Sequence, residues 1–98
     1  MHFVYIVRCA DGTLYTGYAR DPQKREDVHN DGRGARYTVG RRPVRLVYFE
    51  ACRSTGEALR REYQLKRWSR ARKESLIAAT RDRPPERTAQ PYRRAATR

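Results

Sequence analysis

Three groups of side chains in this sequence have the types and spacing to do chemistry. On the helix expected after Ser54, Ala58, Leu59 and Leu65 mark one face at helical spacing, and Glu62 falls within that apolar stripe. An ionised carboxylate on a core-facing stripe is costly unless it is paired or holds a metal. Glu62 therefore either pairs with an arginine at the stripe's edge or serves as a ligand. Arg25 and His29 stand four apart, so both project from one helix face with Val28 beside them. Arginine can grip a phosphate oxygen bidentately, and histidine can donate a hydrogen bond or shuttle a proton. Solvated surface positions are the alternative for both. Tyr5, Tyr15 and Tyr18 crowd one hairpin in a chain with seven tyrosines. Each is either an ordinary cross-strand packing residue or a phenolate or phenol near a metal that takes the proton from an attacking water.

These residues need elements to hold them. Phe3–Val7 is a run of strand formers. Asp11-Gly12 marks a turn, and Leu14–Tyr18 returns as a second strand. The turn decides the geometry. A two-residue loop at Asp11-Gly12 puts Tyr5 and Tyr15 on opposite faces, whereas a three-residue or bulged loop puts them on the same face. A site that uses both tyrosines requires the longer loop. Asp21-Pro22 reads as an N-cap with proline at the first helical position, and the helix runs to about Asn30. That helix is polar apart from Val28, which suggests a face turned to a wet groove. Residues 31–42 are glycine-rich and basic, and read as a mobile loop. Pro43 opens a third strand over Val44–Phe49. Ser54-Thr55-Gly56-Glu57 fits a capping box that starts a helix to about Trp68, and a short helix follows from Arg70 to Ala79.

The chain has 98 residues and a net charge of +12, which suits one small domain with a basic surface. A basic excess points to nucleic acid, because neutralising phosphates releases counterions and gives affinity without sequence reading. A membrane-spanning helix is excluded, since no apolar run approaches the ~20 residues needed. No signal peptide is recognisable, because the apolar run Phe3–Val7 is already followed by Arg8. Cys9 and Cys52 lack zinc-site spacing and are expected as reduced thiols, half-buried at strand ends, in a cytoplasmic protein. From Arg81 to Arg98 there are six arginines, two acids and three prolines, so residues 81–98 are expected to be a disordered basic tail. Residues 1–80 keep seventeen basic and nine acidic side chains, a charge of +8.

Taken together, these pieces resemble the GIY-YIG nuclease family, and more narrowly its small, single-domain bacterial (UPF0213-like) members. The first family motif appears as Val4-Tyr5-Ile6 and the second as Tyr15-Thr16-Gly17, ten residues apart at the tyrosines. Arg25 stands ten residues after Tyr15, where the family keeps an arginine, and His29-Asn30 follows. Gly34-Ala35-Arg36-Tyr37-Thr38 and Gly40-Arg41-Arg42-Pro43-Val44 are characteristic of the small members, and Glu57–Glu62 matches the helix that carries the metal-binding glutamate. The resemblance covers about Phe3 to Ile77. It departs from the pattern in lacking the first motif's glycine, in having Thr16 for isoleucine, and in having Glu74 where some members use asparagine.

The resemblance implies an α+β domain, with a small three-stranded antiparallel sheet flanked by about three helices. It implies a metal-dependent endonuclease acting on nucleic acid, with DNA the leading substrate and selection by shape instead of sequence. Glu62 would hold Mg²⁺ or Mn²⁺, Tyr15 would act as general base, and Arg25 would steady the phosphate. Tyr5 and His29 would orient the water or assist proton transfer. Gly17 would let backbone approach the phosphate, and Arg33, Arg36, Tyr37, Arg41, Arg42 and Lys66 would contact the strand. A rival reading is a nucleic-acid-binding module without useful turnover that acts with a partner, and such a module would have no reason to keep the Tyr15, Arg25 and Glu62 set. A membrane-surface or acidic-protein binder has only Trp68 in its favour.

Overall fold

The computed structural model describes residues 1–80, and the basic tail over 81–98 lies outside the described residues. The element order is β1 (His2–Arg8), β2 (Leu14–Ala19), α1 (Pro22–Asn30), α2 (Arg36–Val39), β3 (Arg45–Cys52), α3 (Thr55–Lys66) and α4 (Arg70–Ala79). The strands form one antiparallel sheet in the order β2-β1-β3. The architecture is therefore α+β as expected, with one helix more than the sequence suggested.

The β1–β2 loop has three residues. The Cys9 amide donates to the Thr13 carbonyl and the Gly12 amide to the Cys9 carbonyl, with Gly12 at φ +88°. Glycine is suited to that conformation because it has no Cβ to clash. The loop sets the register Val7↔Tyr15 and Tyr5↔Gly17. Tyr5 and Tyr15 consequently share a face, which meets the condition that a two-tyrosine site imposes.

Helices cover both faces, which is why β1 is buried from Val4 through Val7. Tyr5 and Val7 pack with Cys9, Ala19 and Val44, on the side that carries α1. Val4 and Ile6 point the other way, toward Ala58 and Leu65 of α3 and Ile77 of α4. Leu59 is half exposed at 48 %, contrary to its expected place in the core stripe. It lies about 100° around the helix from Ala58, and the face that packs on the sheet is centred on Ala58 and Leu65. Glu62 sits at the edge of that narrower face. Glu57 accepts from the Arg53 amide, one residue before the N-cap, while the Ser54 hydroxyl accepts from the Glu57 amide at 3.1 Å.

The polarity of α1 has a second use beside the wet groove that its sequence suggested. Its buried residues are Pro22, Glu26 and His29. Glu26 accepts from the Leu46 amide at 2.7 Å, and Asn30 both accepts from the Val44 amide and donates to its carbonyl. Polar side chains thus join α1 to the start of β3 where apolar contact is scarce. Residues 31–42 are likewise not all loop: α2 forms there and buries Thr38 completely. Cys9 and Cys52 are free and fully buried, not half-buried, with burial raising both thiol pKa values.

Candidate active site

Tyr5, Tyr15, Arg25, His29 and Glu62 line one open cleft of about 410 Å³, with Tyr18, Arg33, Gly34 and Ala35 completing its walls. The tyrosines of the hairpin's α1-side face meet α1 directly. Glu62 arrives from α3, on the opposite face of the sheet. The groups meet because β2 is an edge strand and because Gly17 has no side chain. A Cβ there would lie 2.5 Å from the Tyr5 hydroxyl and 2.7 Å from Cζ, so the phenol passes over Gly17 toward the edge. This gives Gly17 a task that its sequence reading, close approach to a phosphate, did not include.

The protons around His29 can be assigned. The Thr38 hydroxyl donates to the Ala35 carbonyl at 2.9 Å and lies 2.9 Å from His29 Nδ1. A hydroxyl has one proton, so Thr38 must accept from Nδ1–H. His29 Nε2 is then the acceptor, and the Tyr5 hydroxyl, 2.8 Å away, donates to it. The series Tyr5 → His29 → Thr38 → Ala35 carbonyl runs in one direction and leaves the lone pairs of Tyr5 unused by His29. Burial foremost, and then the Arg25 charge, push the His29 pKa below its ordinary 6.5, which keeps the ring neutral. Burial foremost, followed by Tyr15, pushes the Tyr5 pKa up, with Glu62 adding to the rise and Arg25 opposing it. Tyr5 is therefore a fixed neutral phenol. Gly34 allows this arrangement as well, since a Cβ there would meet His29 Cγ and Cε1 at 2.8 Å.

Tyr15 packs edge-on to His29 and stacks on Tyr37 with ring centroids 5.8 Å apart. Arg25 is exposed, lines the cleft and interacts with the Tyr5 hydroxyl, so its guanidinium stands where an anion in the cleft would meet it. Glu62 is less free, because Lys66 Nζ lies 3.1 Å from its carboxylate, with the Glu62 side chain 18 % exposed. The ion-pairing alternative for Glu62 is thus realised, through a lysine one turn away.

The other expected strand contacts divide. Arg33 borders the cleft and pairs with Asp31, and Arg36 is exposed on α2. Tyr37 has one face on Tyr15 and the other under Arg41, 3.9 Å from the ring centre. Arg41 also reaches Asp11 and the Tyr37 carbonyl, and Arg42 donates to the Val39 carbonyl. These three hold α2 in place beside the cleft. Thr38 and Gly34 had no periodic signal in sequence, because their roles depend on a helical turn of four residues meeting His29. Glu74, at the family's asparagine position, forms two bonds to Arg8 at 2.7 and 2.9 Å and does not line the cleft.

The sequence profile of the GIY-YIG catalytic domain matches residues 1–75. The chain belongs to the GIY-YIG family. It is 57% identical over 76 residues to a UPF0213 protein of Staphylococcus aureus strain Mu3, covering 78% of this chain and 93% of that one. A UPF0213 protein of Staphylococcus saprophyticus is 56% identical over 77 residues, covering 79% and 94%. Two structures solved by NMR are similar. A UPF0213 protein from Bacillus halodurans is 49% identical with a TM-score of 0.52, covering 80% of this chain and 83% of its own. A protein from E. faecalis is 33% identical with a TM-score of 0.55, covering 87% and 91%. GIY-YIG domains are a nuclease family that works on nucleic acid and generally uses divalent metal ions.

The donor set can be tested against such an ion. Among the described residues no three His, Cys, Asp or Glu side chains cluster. His29 has both ring nitrogens engaged. Among the described residues Glu62 is then the one carboxylate that lines the cleft, which fits a hard ion that keeps most of its waters and takes oxygens from a substrate phosphate. It does not fit a soft or tightly caged metal. No helix among the described residues is long and apolar enough to cross a membrane.

Proposed function

We propose that this protein is an endonuclease that hydrolyses phosphodiester bonds, most readily in DNA, selecting its substrate by shape. The observation that carries this reading is the meeting of Tyr5, Tyr15, His29, Arg25 and Glu62 in one cleft. Tyr5, which keeps its proton and donates it in a hydrogen bond to His29, accepts a hydrogen bond from the attacking water and aims it. Tyr15, as the phenolate after its own proton has left to solvent, takes the proton that the water loses as its oxygen bonds to phosphorus. Arg25 stabilises the charge that builds on the phosphoryl oxygens, a role for a bidentate donor in a partly desolvated site. The bond from phosphorus to the 3′ oxygen breaks, and that oxygen is protonated by solvent. Glu62 would hold a Mg²⁺ or Mn²⁺ ion, which supplies positive charge at the phosphate and the departing oxygen. The positive charge of residues 1–80 draws the polyanion to the surface.

The Lys66–Glu62 pair favours a second reading, a nucleic-acid-binding module whose carboxylate serves an ion pair. One experiment separates the two. Purified protein is incubated with supercoiled plasmid and with labelled flap and branched DNA, in Mg²⁺, Mn²⁺ or EDTA, beside Glu62→Ala and Tyr15→Phe. Metal-dependent cutting that both variants lose, while still binding DNA, establishes the nuclease. Binding without cutting in every sample assigns the protein to the second reading.

A further inference from the structure

A second surface lies on α3, away from the cleft. Leu59, Arg60, Tyr63, Gln64, Arg67 and Trp68 line a shallow groove of about 700 Å³. Tyr63 is 64 % exposed and Leu59 48 % exposed, an unusual display for large apolar side chains on a small basic domain. The groove contains two arginines and no acidic side chain. Arg67 donates to the Tyr63 hydroxyl at 2.9 Å and lies over its ring, so the ring has a fixed orientation. Trp68 forms the half-buried floor, with the Arg72 guanidinium 4.0 Å from the centre of its ring.

Charge decides what can lie here. A second copy docked through the same face would set Arg60 and Arg67 against their own equivalents. The tail over 81–98 has six arginines against two acids, so it is repelled as well. A partner must be anionic and must offer flat apolar groups to an aromatic ring. Single-stranded nucleic acid has both properties, since its bases are unstacked and every base has a π face. Position supports the same occupant. Glu62 faces the cleft, Lys66 lies beside it, and Tyr63 is the next position around the helix, about 100° from Glu62.

We infer that the α3 groove is a track for a single-stranded arm of the nucleic-acid substrate, with a base stacked on Tyr63 and phosphates on Arg60 and Arg67. The inference rests on the nuclease reading for the substrate's other end, in the cleft, and it narrows that substrate to one with a single-stranded arm.

The test is fluorescence anisotropy in EDTA, where no cutting occurs, with the full chain, a labelled single-stranded oligonucleotide and a blunt duplex. Tyr63→Ala should weaken single-strand binding about tenfold and leave duplex binding within a factor of two, while Tyr63→Phe keeps wild-type affinity. Arg60→Ala with Arg67→Ala should reduce the salt dependence of single-strand binding by about 1.4 in log–log slope. Tyr63 is exposed, and circular dichroism would verify that the variants fold. Unchanged single-strand affinity in Tyr63→Ala overturns the inference. Equal losses on single strand and duplex also overturn it, as does a Tyr63-dependent dimer in sedimentation. The nuclease reading fails separately: a protein that never cuts, yet loses single-strand affinity in Tyr63→Ala, retains the groove and loses the reaction.

Discussion

Tyr5 and Gly17 face each other across the β1–β2 pair, and the phenol occupies the space in which a Gly17 side chain would stand. The contact explains how a side chain from the central strand reaches the edge of the sheet, where α3 brings its carboxylate. Gly17→Ala places a methyl 2.5 Å from the Tyr5 hydroxyl, so the ring must move away from His29. Overpacking of this kind costs about 1–3 kcal/mol. The expected outcome is a folded protein with a lowered Tm and activity reduced at least a hundredfold. A double-mutant cycle with Tyr5→Ala tests the cause, because Gly17→Ala should cost almost nothing once the ring is gone. Additive effects on Tm would show that the ring is not what excludes the methyl.

Thr38 sets the tautomer of His29 and so the direction of the Tyr5 proton. Thr38→Val removes the acceptor for Nδ1–H and leaves a buried donor unsatisfied, a loss of about 1–3 kcal/mol in stability. Thr38→Ser restores the hydroxyl and should rescue. The readout is the pair of imidazole ¹⁵N shifts, which report a single Nδ1–H tautomer in the wild type and in Thr38→Ser, and a mixture in Thr38→Val. Activity provides a second readout through its pH profile. Burial first and the Arg25 charge second depress the His29 pKa, so His29 protonates only below 6.5. Protonated His29 cannot accept from Tyr5, so activity should fall as pH drops through that lowered value. An acid limb centred above 6.5 would exclude His29 as the group responsible.

Lys66 competes with any cation for Glu62. Its ammonium lies 3.1 Å from the carboxylate and is itself nearly half exposed, so the pair contributes at most about 1 kcal/mol. Lys66→Ala should therefore lower the Mg²⁺ concentration needed for half-maximal cutting by about threefold, with little change at saturating metal. The measurement is a Mg²⁺ titration of cleavage rate at fixed ionic strength. A variant with an unchanged metal requirement and weaker substrate affinity would make Lys66 a phosphate contact instead, the role that the sequence suggested.

How far the sequence carried can be judged from particular residues. The three strands, α1 and α4 were legible because propensity, caps and turn signals agreed, and the hairpin loop could be posed as a condition that Tyr5 and Tyr15 impose. Glu62 was identified from a stripe that was partly wrong. Leu59 faces solvent, and the glutamate stands at the edge of a narrower face built on Ala58 and Leu65. Hydrophobic periodicity cannot fix such a face to within one residue when the helix is short and five of its twelve positions are charged. Thr38, α2 and the cover that Tyr15 and Arg41 give Tyr37 were illegible for another reason. They depend on contacts between residues 5, 15, 29, 34, 37, 38 and 41, and no hydrophobic periodicity encodes them. The basic residues of 31–42 looked like a hand for phosphates, yet Arg41 and Arg42 mostly hold their own backbone.

Glu74 fixes α4 to the sheet, and its effect should be visible in acid. Its two bonds to Arg8, with Arg70 3.3 Å away, lower its pKa from 4.5 to about 2. A depressed carboxylate contributes stability above its unfolded pKa, because there the folded state gains from the charged form that both states carry. As pH falls from 4.5 toward 2, the unfolded chain binds the proton first, so the contribution shrinks and is gone below the folded pKa. Glu74→Gln should lower Tm by about 4–8 °C at pH 7, the shift that about 1 kcal/mol produces in a domain of this size. The difference between wild type and variant should close steadily over the interval from about 4.5 to about 2. Thermal unfolding followed by circular dichroism at a series of pH values measures it. A gap that stays constant down to pH 2 would mean that Glu74 stabilises by packing or by hydrogen bonds the amide reproduces, and that its charge is incidental.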